Sequence, residues 1–130
     1  MPQTTAQTIA LTHLEAGDYL QARQVFETIP DSDRTPDDWV NHAVCLIHLD
    51  QPEAALEVCD RALALYPTHP QTWLFKGVAL QRLNRYNDAY ACYDQAAGGA
   101  HDRRQSADKP AWYRRLSALG GVAKHILQAN

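Results

Sequence analysis

Two consecutive segments of 34 residues decide the fold. They are PDDWVNHAVCLIHLDQPEAALEVCDRALALYPTH at residues 36–69 and PQTWLFKGVALQRLNRYNDAYACYDQAAGGAHDR at residues 70–103. They align without gaps, and the aligned pairs include Trp39 with Trp73, Ala43 with Gly77, Leu46 with Leu80, Ala55 with Ala89, Cys59 with Tyr93 and Ala62 with Ala96. An internal period of this length indicates stacked repeats, each too small to bury its own apolar face.

A weaker third copy precedes these two segments at a spacing of 33 residues, with Ala10, Gly17-Asp18-Tyr19, Ala22 and Phe26 at the corresponding places. Small residues at two places in every copy allow two antiparallel helices to approach closely, and the large residues fill the remaining space. Gly, Asn, Asp and Pro mark the turns. The pattern therefore predicts three helix pairs, at about 4–16 with 19–29, 37–49 with 52–65, and 70–83 with 86–97.

These residues resemble the tetratricopeptide repeat, whose pattern is W-x2-L-G-x2-Y, then A-x3-F, an Ala and a closing Pro. The second repeat matches it with Trp39, His42, Ala43, Leu46, Ala55, Cys59, Ala62 and Pro67. The third has His101 at the place of the Pro, and the first has Ala6 in place of the Trp. The resemblance covers about residues 3–103. It implies an all-α fold, a right-handed α-solenoid of three antiparallel helix pairs, with repeats at about 3–35, 36–69 and 70–103.

One more amphipathic segment follows, PAWYRRLSALGGVAKHILQAN at residues 110–130, with an apolar stripe formed by Trp112, Leu116, Leu119, Ala123 and Ile126. This spacing predicts a seventh helix at about 109–128, within a single domain spanning 1–130. A capping helix on the third repeat is the favoured role. The alternatives are that the helix folds into the groove of its own chain, or exchanges with a neighbouring copy.

The resemblance implies a non-catalytic module, an adaptor or assembly factor, that binds a partner protein on the concave surface lined by the first helix of each pair. The residues expected to bind the partner are Leu11, Leu14, Val40, Asn41, Val44, Ile47, His48, Leu74, Val78 and Arg82, with Thr4, Gln7, Glu15, Asp37, Gln71 and Gln81 at the other positions of the family's concave surface. Because the middle of this set is apolar, the expected ligand is an apolar or amphipathic segment. Alternatively, these residues pack on the C-terminal helix, or the register differs by one residue.

One subclass of the family binds the acidic C-terminal tails of chaperones through a clamp of Lys, Asn and Arg residues. The matching positions in this chain are Gln7, Leu11, Asn41, Gln71 and Phe75. Only Asn41 agrees with the clamp, and no cation is present there to hold a carboxylate. The sequence therefore argues against this type of chaperone binding.

Charge is distributed unevenly along the chain. Residues 1–65 contain eleven Asp and Glu against three Lys and Arg, a net charge of −8, whereas residues 66–130 contain four against nine, a net charge of +5. Either this is drift between solvated faces, or the basic residues Arg103, Arg104, Arg114 and Arg115 attract an acidic partner. A homo-oligomer is the alternative function, since acidic and basic ends suit head-to-tail stacking. Nucleic acid is not a predicted partner, because the whole chain is acidic and Trp112 belongs to the apolar stripe.

No catalytic residue, metal site or cofactor is predicted. His42, Cys45 and His48 lie three residues apart along one helix, as metal ligands do, but His42 and Cys45 occupy helix-packing positions of the repeat and no second cluster completes a site. Three scattered cysteines and the lack of a secretory signal or a membrane-spanning apolar run suggest a cytoplasmic protein. The composition resembles that of short bacterial repeat proteins that serve larger assemblies.

Overall fold

The computed structural model describes residues 5–98, and within them it is all-helical. Six α-helices follow one another: α1 Thr5–Glu15, α2 Tyr19–Thr28, α3 Pro36–His48, α4 Pro52–Leu65, α5 Pro70–Arg82 and α6 Tyr86–Ala96, with a short 3-10 helix at Asp31–Asp33. Each predicted helix of the three pairs is present, with ends within one or two residues of the prediction. The predicted C-terminal helix at about 109–128 and the end of the third repeat lie outside the described residues.

The turn inside each pair has the same hydrogen-bond pattern three times. The residue after the turn donates its backbone N–H to the carbonyl five residues earlier, from Asp18 to His13, from Gln51 to Leu46 and from Arg85 to Leu80, at 2.8–2.9 Å. Gly17, Asp50 and Asn84 sit in the left-handed region with φ of 81°, 59° and 62°. This is the Schellman motif, which ends a helix and satisfies its last carbonyls. The solenoid therefore repeats its backbone geometry as well as its sequence.

Proline sets the start of three helices. Pro36, Pro52 and Pro70 occupy the first turn of α3, α4 and α5, where a missing N–H costs no hydrogen bond. At the start of α3, Thr35 and Asp38 form a reciprocal capping box. Asp38 is 1% exposed and also accepts a hydrogen bond from the amide of Gln7, so that the cap of α3 is tied to α1.

Two clusters make up the core. The first is formed by Ala10, Ala22, Phe26, Ile29 and Cys45. The second, larger cluster fills the space among α3, α4, α5 and α6, and Val40, Val44, Ile47, Leu74 and Val78 belong to it. Cys45 of α3 is thus buried against the first repeat, whereas the other buried apolar residues of α3 belong to the cluster shared by the second and third repeats. The helices stack with each first helix beside the next, α1 beside α3 and α3 beside α5.

Candidate protein-binding face

The first-helix face is the side of α1, α3 and α5 that is turned away from their paired helices α2, α4 and α6. The direction of the pairing is fixed by close contacts such as Gly77 of α5 against the ring of Tyr93 in α6. The resemblance to the tetratricopeptide repeat placed the predicted groove on the opposite side. This face is therefore the place to look for the predicted groove.

Helix α3 leaves only a narrow strip open on that face. Nine of its 13 residues are buried, and besides Pro36 the remainder are Asp37, Asn41 and His48. At 100° per residue, these three residues fall within about 40° of one another on the helix. The accessible strip of α3 is therefore polar.

The predicted partner-binding residues divide into two groups. Val40, Val44, Ile47, Leu74 and Val78 are interior residues, with exposures of 8%, 3%, 2%, 2% and 2%. The half-buried group consists of Leu11, Leu14, Asn41, His48 and Arg82. The apolar residues that motivated the groove thus lie between the helices, and the accessible surface is formed by the second group with Thr8, Glu15, Asp37 and Gln71 around it.

Sequence reasoning missed Thr8, which is exposed on α1 at the position equivalent to Asn41. The signal was available, because Thr8, Asn41 and Phe75 recur at intervals of 33 and 34 residues. Phe75 occupies the same position on α5 but is only 4% exposed.

One aromatic contact and one ionic contact hold accessible residues of α3 in place. The imidazole of His48 stacks on the ring of Tyr19, with ring centroids 4.0 Å apart and planes 1° from parallel. The carboxylate of Asp37 lies 3.6 Å from Nε2 of His69 at the start of α5, with the Asp37 side chain 78% exposed. The strip is therefore tied to α2 at one end and to α5 at the other, which fixes the positions of its side chains.

A buried arginine joins the first repeat to the second. Arg34 is 6% exposed, although it lies in the connection between α2 and α3. Its guanidinium donates to the carbonyls of Ile29 at 3.0 Å and Phe26 at 2.6 Å, and to Nδ1 of His42 at 3.1 Å. It also lies 4.5 Å from the centre of the Trp39 ring. The last carbonyls of α2 are therefore capped by a cation, which is favourable at a helix C-terminus.

The bond from Arg34 fixes the tautomer of His42. Because arginine only donates, Nδ1 of His42 accepts and the neutral ring carries its proton on Nε2, 3.9 Å from a carboxylate oxygen of Glu27. Burial lowers the pKa of His42 from 6.5 to about 4, with a further lowering by neighbouring cations, of which Arg34 contributes most. His42 is thus a neutral structural residue.

The three side chains whose spacing resembles that of metal ligands each have a different neighbour. His42 contacts Arg34, Cys45 packs with Ala10 and Phe26, and His48 stacks on Tyr19. Burial raises the pKa of the Cys45 thiol to about 12 and also raises the pKa of the Cys59 and Cys92 thiols. Within residues 5–98, no group of three His, Cys, Asp or Glu side chains is placed to hold a metal ion. Among the same residues, none of the helices combines the length and the apolarity needed to cross a membrane.

Comparison with known families identifies the repeats. Residues 28–96, more than half of the chain, match the family described as anaphase-promoting complex, cyclosome, subunit 3. The chain belongs to this family. Its repeats are of the tetratricopeptide type, so the repeat class expected from the sequence is confirmed. Repeats of this type are protein–protein interaction modules and are generally not enzymes.

A curated relative from Oryza sativa subsp. japonica, serine/threonine-protein kinase BSK1-2, is 29% identical over 76 residues. The matched stretch is 58% of this family member and 15% of the kinase. The chain therefore spans a small part of the relative that it matches.

Proposed function

We propose that the chain binds a segment of another protein on the first-helix face and acts as an adaptor or assembly factor. The observation that carries the proposal is the match of residues 28–96 to a family of tetratricopeptide-type repeats, which bind proteins. The polar strip of Asp37, Asn41 and His48, flanked by Arg82 and Gln71 on α5, supplies donors and acceptors for a peptide backbone.

We propose an amphipathic segment as the ligand. Leu11 and Leu14 on α1 are half-buried and leave apolar surface next to the polar strip of α3. A segment with one apolar edge and one polar edge satisfies both surfaces, whereas a wholly apolar one would cover the side-chain amide of Asn41 without offering it a hydrogen-bond partner. Asn41 is the residue best suited to bond a backbone amide group of the ligand, since its side chain both donates and accepts.

The test compares two identical substitutions on different faces. Asn41→Arg places a long cation in the strip, and Asn87→Arg makes the same change at an exposed position of α6, outside the first-helix face. Both variants and the wild type are used to capture partners from a lysate of the source organism, and the affinity of each captured protein is then measured with purified components. We expect Asn41→Arg alone to lose the partner, by tenfold or more in Kd, equivalent to about 1.4 kcal/mol. Equal affinity for all three would contradict the proposal.

Self-association is the second candidate, because large apolar side chains are exposed on the first repeat, Ile9 at 43% and Leu20 at 47%. Exposed apolar groups of this size favour contacts between copies. Mass measurement at high protein concentration and low salt tests it: a concentration-dependent dimer that Leu20→Lys abolishes is the expected result, and a monomer under all conditions would contradict it.

A cytoplasmic location is part of the proposal. Cys45, Cys59 and Cys92 are all free and buried, which suits a reducing compartment. Fractionation of the source cells tests this proposal. Recovery of the protein outside the cytoplasmic fraction would contradict it.

A further inference from the structure

Asp37 on the first-helix face presents a carboxylate that takes no part in capping α3. The capping box is formed by its buried neighbour Asp38 together with Thr35. The Asp37 side chain is 78% exposed, and within residues 5–98 its one ionic neighbour is the ring of His69. The 3.6 Å between Oδ1 of Asp37 and Nε2 of His69 is longer than a hydrogen bond. The carboxylate therefore keeps its capacity to accept hydrogen bonds from a ligand.

Two amide side chains flank this carboxylate. Asn41 follows Asp37 by one turn of α3, which places their Cβ atoms about 5–6 Å apart. Gln71 has the equivalent position on α5, and the contact of Asp37 with His69, the N-cap of α5, brings the starts of α3 and α5 together. Both amides are half-buried, and within residues 5–98 neither has a hydrogen-bond partner. A cationic group placed there therefore meets a carboxylate and two amide oxygens, all of which accept.

The charge of the helical repeats also favours a cationic ligand. Residues 5–98 contain 13 Asp and Glu against six Lys and Arg, a net charge of −7. Most of these cations are already paired, Arg23 with Glu27, Arg61 with Asp31, Lys76 with Asp60 and Arg85 with Asp88. Asp37 pairs with none of the lysines and arginines in this part of the chain. Its charge is therefore left for a positive group from outside.

We propose that the segment bound on the first-helix face carries a lysine or arginine whose cationic group pairs with Asp37 and donates to the side-chain oxygens of Asn41 and Gln71. The amide N–H groups of Asn41 remain for the backbone of the ligand. The half-buried Leu11 and Leu14 contact the apolar residues of the same segment. The inference rests on the proposed function, and it names the partner's chemistry: a basic amphipathic segment of another protein.

The experiment selects a phage-displayed library of random peptides against the full chain. Three baits are compared: the wild type, Asp37→Arg and Glu53→Arg. Glu53 is the matched control, because it follows Pro52 at the start of α4 as Asp37 follows Pro36 at the start of α3, and it is exposed on the outer side of α4. Both substitutions place a cation in a first helical turn, where the helix dipole disfavours it equally. Circular dichroism verifies that all three baits are folded.

We expect the wild type and Glu53→Arg to enrich peptides with lysine or arginine at a fixed spacing from apolar residues, and Asp37→Arg to enrich Asp or Glu at that place. A peptide with the wild-type consensus sequence should bind Asp37→Asn about fivefold more weakly than the wild type in fluorescence anisotropy, and Glu53→Gln with unchanged affinity. Enrichment of the same basic peptides by the wild type and Asp37→Arg would overturn the inference.

Asn41→Arg separates this failure from a failure of the proposed function. If Asn41→Arg loses the consensus peptide while the charge at position 37 has no effect, the face binds peptides and only the cation is wrong. If Asn41→Arg binds that peptide as tightly as the wild type, or if no bait enriches any peptide, the proposed function fails together with the inference. Enrichment by a variant with glutamine at positions 103, 104, 114 and 115, but not by the wild type, would overturn the inference in favour of the chain's own basic residues as the occupant.

Discussion

Gly77 lies directly against the ring of Tyr93, so that a Cβ atom at position 77 would come within 2.7 Å of Cδ1 of that ring. Tyr93 is 0% exposed, and its hydroxyl donates to the side-chain oxygen of Gln81 at 2.7 Å. The ring is therefore held from both ends and has little freedom to move away. In the second repeat the same two positions are occupied by Ala43 and Cys59, a larger residue opposite a smaller one.

Gly77→Ala should therefore destabilise the chain, although Ala is the better helix former by about 1 kcal/mol. Overpacking against a fixed ring costs about 1–3 kcal/mol, which leaves a net loss of about 1 kcal/mol. Urea unfolding measures this change in the free energy of unfolding. The matched background is Tyr93→Cys, which reproduces the Ala43 and Cys59 pair. In that background Gly77→Ala should be neutral or stabilising, and an equal loss in both backgrounds would contradict the contact.

Arg34→Lys should cost about 2–3 kcal/mol of unfolding free energy. Lysine cannot reproduce the planar set of donors that reaches Phe26, Ile29 and His42 together, and bonds from a charged donor are worth about 1.5–3 kcal/mol. Arg61→Lys is the control. Arg61 also lies over Trp39 and pairs with Asp31 at 2.6 Å, but it is half exposed, so its loss should stay below about 1 kcal/mol. Equal losses for the two variants would mean that Arg34 does not cap α2.

Stability should fall as the pH drops from about 6.5 towards 4, the window set by the lowered pKa of His42. In this window the unfolded chain binds a proton at His42 that the folded chain does not, so unfolding is favoured at lower pH. Between neutral pH and pH 4, the free energy of unfolding should therefore fall by about 3 kcal/mol because of His42.

His42→Asn keeps an acceptor for Arg34 but does not titrate, so the difference in stability between wild type and variant should shrink as the pH falls through this window. Gln24→Asn, at an exposed position of α2 and without a titratable group, is the control and should leave the pH profile unchanged. A wild-type profile parallel to that of His42→Asn would show that His42 does not contribute.

Val44→Glu should unfold the chain. Val44 is 3% exposed between α3 and α5, and an unpaired carboxylate there costs several kcal/mol. Asn41→Glu, on the same helix but in the open strip, should cost less than about 1 kcal/mol. Circular dichroism and thermal melting distinguish the two. If the Val44→Glu variant folded normally and lost only its affinity for the partner protein, Val44 would line the binding groove, as the repeat pattern predicted.

The ends of the six helices within residues 5–98 could be predicted because they depend on local signals. Pro36, Pro52 and Pro70 each lie in the first turn of a helix, and Gly17 and Asn84 tolerate the left-handed turns. Asp50 adopts the same turn, which only its place in the repeat indicated.

The candidate site was harder to predict, because burial on a first helix depends on its neighbours. Val44 and His48 both belong to the face that the family's pattern assigns to ligands, but α5 covers the former and leaves the latter accessible. Arg34 gave no sequence signal at all, since an arginine in a short connection is ordinarily solvated. Its role depends on two carbonyls and a histidine that only the packed structure brings to it.

The most direct measurement of the central claim is carboxylate footprinting of the chain, alone and with its captured partner. Glu15 and Asp37 lie on the first-helix face, and Glu53 and Glu57 lie on the outer side of α4, with all four exposed. Carbodiimide-driven labelling with glycine ethyl ester, read by mass spectrometry, reports each carboxylate separately. If the first-helix face binds the partner, Glu15 and Asp37 lose labelling in the complex while Glu53 and Glu57 keep it. Protection of Glu53 and Glu57 with unchanged labelling of Glu15 and Asp37 would contradict the account.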